Sequence, residues 1–346
     1  MKQFYMLTAA AIFFSGTCFA KIWRVNNNSG ITADFTTLQA AHNGASAGDT
    51  IYLESSPNSY GALTCTKKLA LIGTGYFLDV NPGLQAFALP SKVDGLNFNA
   101  GSSGSSVEGL SLNGSAISIN GVNDMVIRRN HFAGFSGNVP DYSVGIVYIN
   151  SGASNIYITQ NFALFVQNNA GSTGILISNN YLAHYAYAGD ATTGQCLQLH
   201  PNTVAIVKNN IFRRGTVTAY NSNISNNIMY VGFYGGSGNL VSNNLANNSQ
   251  FGTADANQAN VDMSTVFVGT GSYDGFFKLK VGSPAIGAGY GSTVQTPVDA
   301  GMFGGGSTAY VLSGIPAIPS IYFFANQPVG SNSDPIDVQV KVRSNN

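Results

Sequence analysis

An aliphatic residue followed three positions later by asparagine recurs through the middle of the chain: Ile127-Arg-Arg-Asn130, Ile158-Thr-Gln-Asn161, Ile177-Ser-Asn-Asn180, Val207-Lys-Asn-Asn210, Ile224-Ser-Asn-Asn227 and Val241-Ser-Asn-Asn244. Before each anchor asparagine the apolar positions alternate. Met125 and Ile127, Ile156 and Ile158, Ile175 and Ile177, and Ala205 and Val207 would share one face of short strands. The anchors stand 31, 19, 30, 17 and 17 residues apart. Such uneven steps suit coils with a fixed strand and loops of variable length. No coil buries its apolar face alone, so the coils must stack, each strand pairing in parallel with its equivalent at ~4.8 Å.

Asparagine suits the end of each strand because it tolerates the left-handed backbone that a sharp turn needs. Stacked in register, Asn130, Asn161, Asn180, Asn210, Asn227 and Asn244 would form an internal amide ladder, each donating to one neighbour and accepting from another. A low-complexity linker would show no such phase. Four positions before the anchor, Val126, Tyr157, Leu176 and Ile206 should point outward yet are apolar, which implies a cover. The tail offers one in the apolar stretch Tyr310 to Phe324, expected to cross that stripe or cap the last coil. Ile336 to Val342 alternates like an edge strand that pairs within the chain or with a protein partner.

With these repeats the chain resembles the right-handed parallel β-helix proteins, the pectate-lyase-like superfamily of pectate lyases, polygalacturonases, alginate lyases and phage tailspikes. The stretch Ala33 to Gly61 looks like the entry of such a solenoid, with a short amphipathic segment, Leu38 to Ala47, over the first coil and Gly48-Asp-Thr-Ile51 starting the first strand. Gly282 to Gly289, followed by Val298 to Gly304, looks like the closing coil. The expectation is an all-β, single-stranded right-handed parallel β-helix of roughly ten coils over residues 50–290, with an N-terminal cap and a C-terminal tail that packs on or caps the solenoid. The corresponding divisions are 1–20 (signal peptide), 21–306 (β-helix) and 307–346 (tail).

The first twenty residues change the setting. A lysine, an apolar middle and a small residue at Ala20 form the pattern of a secretory signal peptide cleaved after Ala20. A lipoprotein reading at Cys18 is the alternative, although the preceding residues lack the usual aliphatic. The expected compartment is extracellular, cell-surface or periplasmic. No later apolar run has the ~20 residues of a membrane span. Charged residues make up 9% of the chain with zero net charge, which excludes the clustered positive charge that nucleic-acid binding requires. Forty-one glycines with few Lys or Glu argue against helices. Cys65 and Cys196 would lie several coils apart, beyond the ~7 Å reach of a disulfide, and are expected as buried free thiols.

Candidate chemistry gathers on two insertions, within 131–155 and 182–204. The second concentrates Tyr181, His184, Tyr185, Tyr187, Asp190 and His200, and Arg214 shares the register of His184 on the next coil. Loops on a rigid scaffold host binding sites, and aromatic faces beside polar groups suit sugars. The expected function is therefore an exported, non-catalytic module whose partner is a polysaccharide or another envelope component. The resemblance implies an alternative, a lyase. The lyases of this superfamily use a Lys or Arg base, often with calcium, and its hydrolases use paired carboxylates. Between Ser105 and Gln250 the acids are Glu108, Asp124, Asp141 and Asp190, with no two adjacent, and the polygalacturonase-like signatures are absent. What remains is a metal-free β-elimination with Lys208, Arg213 or Arg214 as base and His184 or His200 assisting. A structural or protein-binding role is the second alternative. Neither a metal nor a cofactor is implied.

Overall fold

The computed structural model describes residues 20–114, 116–133, 142–143, 145–185, 194–327, 330 and 335–345, with Ala133, Tyr142, Ser143, His184 and Tyr185 described as backbone alone. Among these residues, one all-parallel sheet has ten strands, from Ile22–Val25 to Leu240–Ser242, and a second has fifteen. The second sheet bends into two tiers joined by the strand Phe162–Asn168. Each full coil therefore contributes to three faces. The first face is the ten-stranded sheet. The second follows the asparagine turn, as in Tyr181–Leu182, Ile211–Phe212 and Ile228–Met229. The third closes the coil, as in Ile117–Ile119, Gln195–Gln198 and Thr216–Thr218. This is a parallel β-helix.

The period-two rows point inward as their spacing requires. Ile127, Ile158, Ile177, Val207, Ile224 and Val241 stand in one hydrogen-bonded register, and Met125, Ile127, Ile156, Ile158, Ile177 and Val207 are fully buried. At the end of each row lies the anchor amide. Asn130 Nδ2 donates to Asn161 Oδ1 (3.1 Å), Asn161 to Asn180 (3.0 Å), Asn180 to Asn210 (3.0 Å), Asn210 to Asn227 (3.0 Å), Asn227 to Asn244 (2.9 Å) and Asn244 to Asn257 (3.0 Å). The same acceptor oxygen takes the backbone N–H of the preceding anchor, and each Nδ2 also reaches a carbonyl one coil back. Donors and acceptors are thus matched where water is excluded.

The left-handed residue is not the anchor but the one before it. Arg129, Gln160, Asn179, Asn209, Asn226 and Asn243 have φ between 54° and 58°. Asparagine relieves this conformation in four of the six turns, while Arg129 and Gln160 carry its cost in the other two.

Both ends differ from the expected entry and exit. The first strand is Ile22–Val25, ahead of the cap, and pairs with Thr50–Leu53. The cap helix is Leu38–Gly44, with the Thr37 hydroxyl accepting from Ala40 N–H, and it buries Leu38, Ala41 and His42. The coil stack ends at the bridge between Leu245 and Gln258. Gly282–Gly289 and Val298–Gly304 do not form a closing coil. They belong to a strap that runs back along the asparagine turns: Asn243 bonds Ala288, Asn226 bonds Tyr290, Asn209 bonds Asp299, Asn179 bonds Met302 and Gly304, Gln160 bonds Thr308, and Arg129 bonds Ile315. The strap and residues 261–280 cover the outward row of the second face, where Phe162, Tyr181, Ile211, Ile228 and Leu245 are buried with Met263, Phe277, Ala300, Met302 and Tyr310.

The tail packs on the solenoid at this second face and leaves the stripe four residues before the anchors open, with Tyr157 and Ile206 at 42% and 48% exposure. Its last element is an antiparallel hairpin of Ser320–Asn326 and Val338–Arg343, so the Ile336 to Val342 segment pairs within the chain. Beneath the strap, the buried Asp274 carboxylate accepts from Asn81, Ser272, Gly275, Tyr310 and Ser313. Tyr310 in turn meets Tyr76 at 2.7 Å between hydroxyls, and burial raises the pKa of both phenols well above the ordinary tyrosine range. Cys65 and Cys196 are both buried and free, and burial raises both thiol pKa values.

Two predictions follow from this packing. Removing one amide of the column strands its neighbours, each buried unsatisfied group costing about 1–3 kcal/mol. Asn180→Ala should therefore lower the unfolding free energy by roughly 3 kcal/mol or more in a urea titration, while Asn223→Ala, exposed on the first face, should stay within about 0.5 kcal/mol of wild type. Second, His131 sits buried against Tyr76, Phe77 and Phe162, and desolvation lowers its pKa from 6.5 to about 3. The unfolded chain then takes up the proton first. Stability should fall by about 1.4 kcal/mol per pH unit below ~6.5 and level off near the folded value; against a His131→Phe variant, unfolding titrations between these limits should isolate that slope.

Candidate functional site

Among those described with their side chains, the residues singled out from the sequence do not converge. Tyr181 is fully buried under the strap, stacked on Phe162 at 4.5 Å and against Phe277 at 4.6 Å, so it packs the core rather than a ligand. The backbones of His184 and Tyr185 pair in parallel with Tyr142 and Ser143, which brings the two insertions side by side. The side chains of His184 and Tyr185, and Tyr187 and Asp190 altogether, lie outside the described residues. Lys208 ends a first-face strand, next to Ser178 and Ser225. Arg213 and Arg214 follow the second-face strand Ile211–Phe212, with the Arg213 guanidinium 4.0 Å over the Tyr230 ring. His200 follows the third-face strand Gln195–Gln198, its Nδ1 accepting from Asn202 N–H. Lys208, the arginine pair and His200 thus occupy three different edges of the coil, and they do not assemble a shared base and acid. Among the described residues, no three His, Cys, Asp or Glu side chains are grouped as a metal would require, and no helix is long and apolar enough to cross a membrane.

What distinguishes the surface is the treatment of its faces. The second is covered. The first carries charge, since Arg24, Glu108, Arg128 and Lys208 share one register column, and Glu108 holds Arg128 at 2.7 Å and Arg129 at 3.2 Å. The third face, among the described residues, carries no carboxylate, ammonium or guanidinium in its two outer rows. Its register aligns Thr64, Asn97, Ser118, Tyr148, Gln167, Gln198 and Thr218 on successive rungs. Two residues further along the chain, just past the end of each strand, stand Thr66, Asn99, Asn120, Asn150, Asn169, His200 and Tyr220. None of these fourteen side chains is a carboxylate, ammonium or guanidinium, and all are exposed or half-buried.

The second of these columns is itself hydrogen-bonded. Asn120 Nδ2 donates to Asn99 Oδ1 at 2.8 Å, Asn150 to Asn120 at 2.7 Å and Asn169 to Asn150 at 2.7 Å, and Gln167 Nε2 donates to Asn169 Oδ1 at 2.8 Å. The amides point toward the N-terminal coils, opposite to the buried column. The elements that position them are the inward pairs Leu96/Phe98, Ile117/Ile119, Val147/Ile149, Val166/Asn168 and Leu197/Leu199, all buried. This is a second phased phrase, Leu96-Asn-Phe-Asn99, Ile117-Ser-Ile-Asn120, Val147-Tyr-Ile-Asn150, Val166-Gln-Asn-Asn169 and Leu197-Gln-Leu-His200. It could have been found by a period-two search; alignment on the other asparagine alone hides it. Of the sequence candidates whose side chains are described, only His200 lies on this face.

Comparison with known proteins finds no matching family model, no matching curated protein and no matching solved structure.

Proposed function

We propose that this chain is an exported β-helix module that binds polysaccharide on its third face and does not turn it over. The observation that carries the reading is the uncharged, hydroxyl- and amide-bearing surface with Tyr148 and Tyr220 set in its two rows. Sugars are recognised by planar amides that match their hydroxyls and by aromatic rings that cover their apolar faces. A rigid sheet positions both without ordering cost at the moment of binding. Kinship with the pectate-lyase-like superfamily rests on the repeated coils and the resemblance of the sequence. β-Elimination by Lys208, Arg213 or Arg214 with His200 gains no support from their separate edges, and the side chain of His184, the other assisting candidate, lies outside the described residues.

A second reading, a protein-docking module, draws on the C-terminal hairpin. Ile321, Phe324, Val338, Val340 and Val342 are exposed there.

Retention in polysaccharide-containing gels, run beside an assay for new reducing ends and unsaturated uronates, separates these readings. Retention without product is expected, and Tyr148→Ala with Tyr220→Ala should each weaken it on the order of ten-fold, the equivalent of one lost aromatic contact of about 1.4 kcal/mol. Product formation would overturn the non-catalytic part. Loss of retention upon deletion of residues 320–343, with Tyr148→Ala and Tyr220→Ala silent, would move the function to the hairpin.

A further inference from the structure

In the outer amide column, Asn120 and Asn150 each spend one N–H and one oxygen lone pair on their neighbours. A primary amide has two of each. Every interior rung therefore presents a second N–H and a second lone pair outward, in one plane, repeated at the rung spacing of ~4.8 Å. A donor and an acceptor side by side are the complement of two neighbouring hydroxyls. Beside each amide stands a further uncharged group in the same rung: Asn97 by Asn99, Ser118 by Asn120, Tyr148 by Asn150 and Gln167 by Asn169, with Gln198 beside His200 on the next rung.

The dimensions give the array a direction. Across the face the two polar rows stand ~7 Å apart, and the outward position before them is closed at Ile146 and Phe165, both buried. Along the axis, the rungs from Asn99 to Tyr220 number six and extend over ~24 Å. A chain lying across the strands' direction would meet about six rungs, whereas one lying along a single strand would meet two side chains. The absence of charge in both rows bears on the ligand's own charge, because a uronate would find no cation to replace its lost hydration.

We propose that the glycan held here is a neutral linear polysaccharide lying parallel to the coil axis, one sugar unit following another along the amide rows from Asn99 to Tyr220. This rests on the reading that the third face binds polysaccharide, and it adds the class of ligand and its orientation.

The test uses affinity gels and titration calorimetry with uncharged linear β-1,4-glucan, β-1,4-mannan and β-1,4-xylan, their oligosaccharides of graded length, and polygalacturonate and alginate as charged counterparts. At least one neutral polymer should be retained, with less than about two-fold change between roughly 50 and 500 mM salt. Its oligosaccharides should tighten with length up to about six units and then level, as the rungs are used up. Asn97→Ala and Gln198→Ala, both at exposed positions, should together weaken binding at least about ten-fold, while Tyr157→Ala on the first face should leave it unchanged; thermal melts of each variant report that the fold is kept. Retention by the uronates alone, weakened by salt, would overturn the neutral class while leaving polysaccharide binding intact. Affinity independent of length would overturn the axial lie. Sensitivity to Tyr157→Ala with Asn97→Ala and Gln198→Ala silent would overturn the location. Retention by none of the polymers would sink this inference and the reading beneath it together.

Discussion

The buried amide column is the interaction on which the rest depends. Each anchor asparagine supplies a side-chain amide to a water-free interior, where a polar group without partners is expensive. Its partners exist only if the next coil lies directly above and the previous one directly below. The bonds from Asn130 through Asn161, Asn180, Asn210, Asn227 and Asn244 to Asn257 span 31, 19, 30, 17, 17 and 13 residues of chain. The column ignores those differences, because loop length matters little once the strand and its turn are in register. Insertions are therefore tolerated at the corners while the aliphatic rows remain aligned.

The paired asparagines of the repeated phrase have separate work. The second joins the internal column. The first takes the left-handed turn and turns its side chain outward, where Asn179, Asn209, Asn226 and Asn243 engage the returning strap. One short phrase thus builds both the core and the mooring of its cover. The strap shields the apolar row of Phe162, Tyr181, Ile211, Ile228 and Leu245, which would otherwise expose a hydrophobic band along the solenoid. With the second face occupied and the first bearing charges and half-exposed aliphatics, the third offers two polar rows that hold no carboxylate, ammonium or guanidinium among the described residues. The division of faces, more than any single residue, supports the functional reading.

Much of this architecture was legible along the chain. The phase between aliphatic and asparagine positions identified the inward rows, the stacking and the need for caps, because a two-residue period and a repeated turn leave few alternatives. The site was less legible. Tyr181 looked like a sugar platform because an aromatic residue beside an insertion has the same local signature whether it faces solvent or a strap that returns more than ninety residues later. His184 and Arg214 follow the paired strands Tyr181–Leu182 and Ile211–Phe212, as their spacing from the anchors implies, but a spacing does not say where a side chain goes beyond a corner. The phrase ending at Asn99, Asn120 and Asn150 was visible in principle. Its period is hidden when the coils are aligned on the turn at Asn130, Asn161 and Asn180, because the loops between the two turns vary in length.

By itself, then, the sequence determined the parallel coil, its interior rows and the positions of the amides that stack, since these follow from local periodicity repeated in phase. Only the tertiary structure decided which outward face is covered and which is open. That choice is made by the C-terminal strap, whose contacts with Asn243 back to Arg129 run in reverse order to the chain, and no local pattern at either partner records the other. The strap leaves the polar rows of the third face alone for the same reason: among the described residues, its hydrogen bonds go to the asparagine turns and its apolar side chains to the second face.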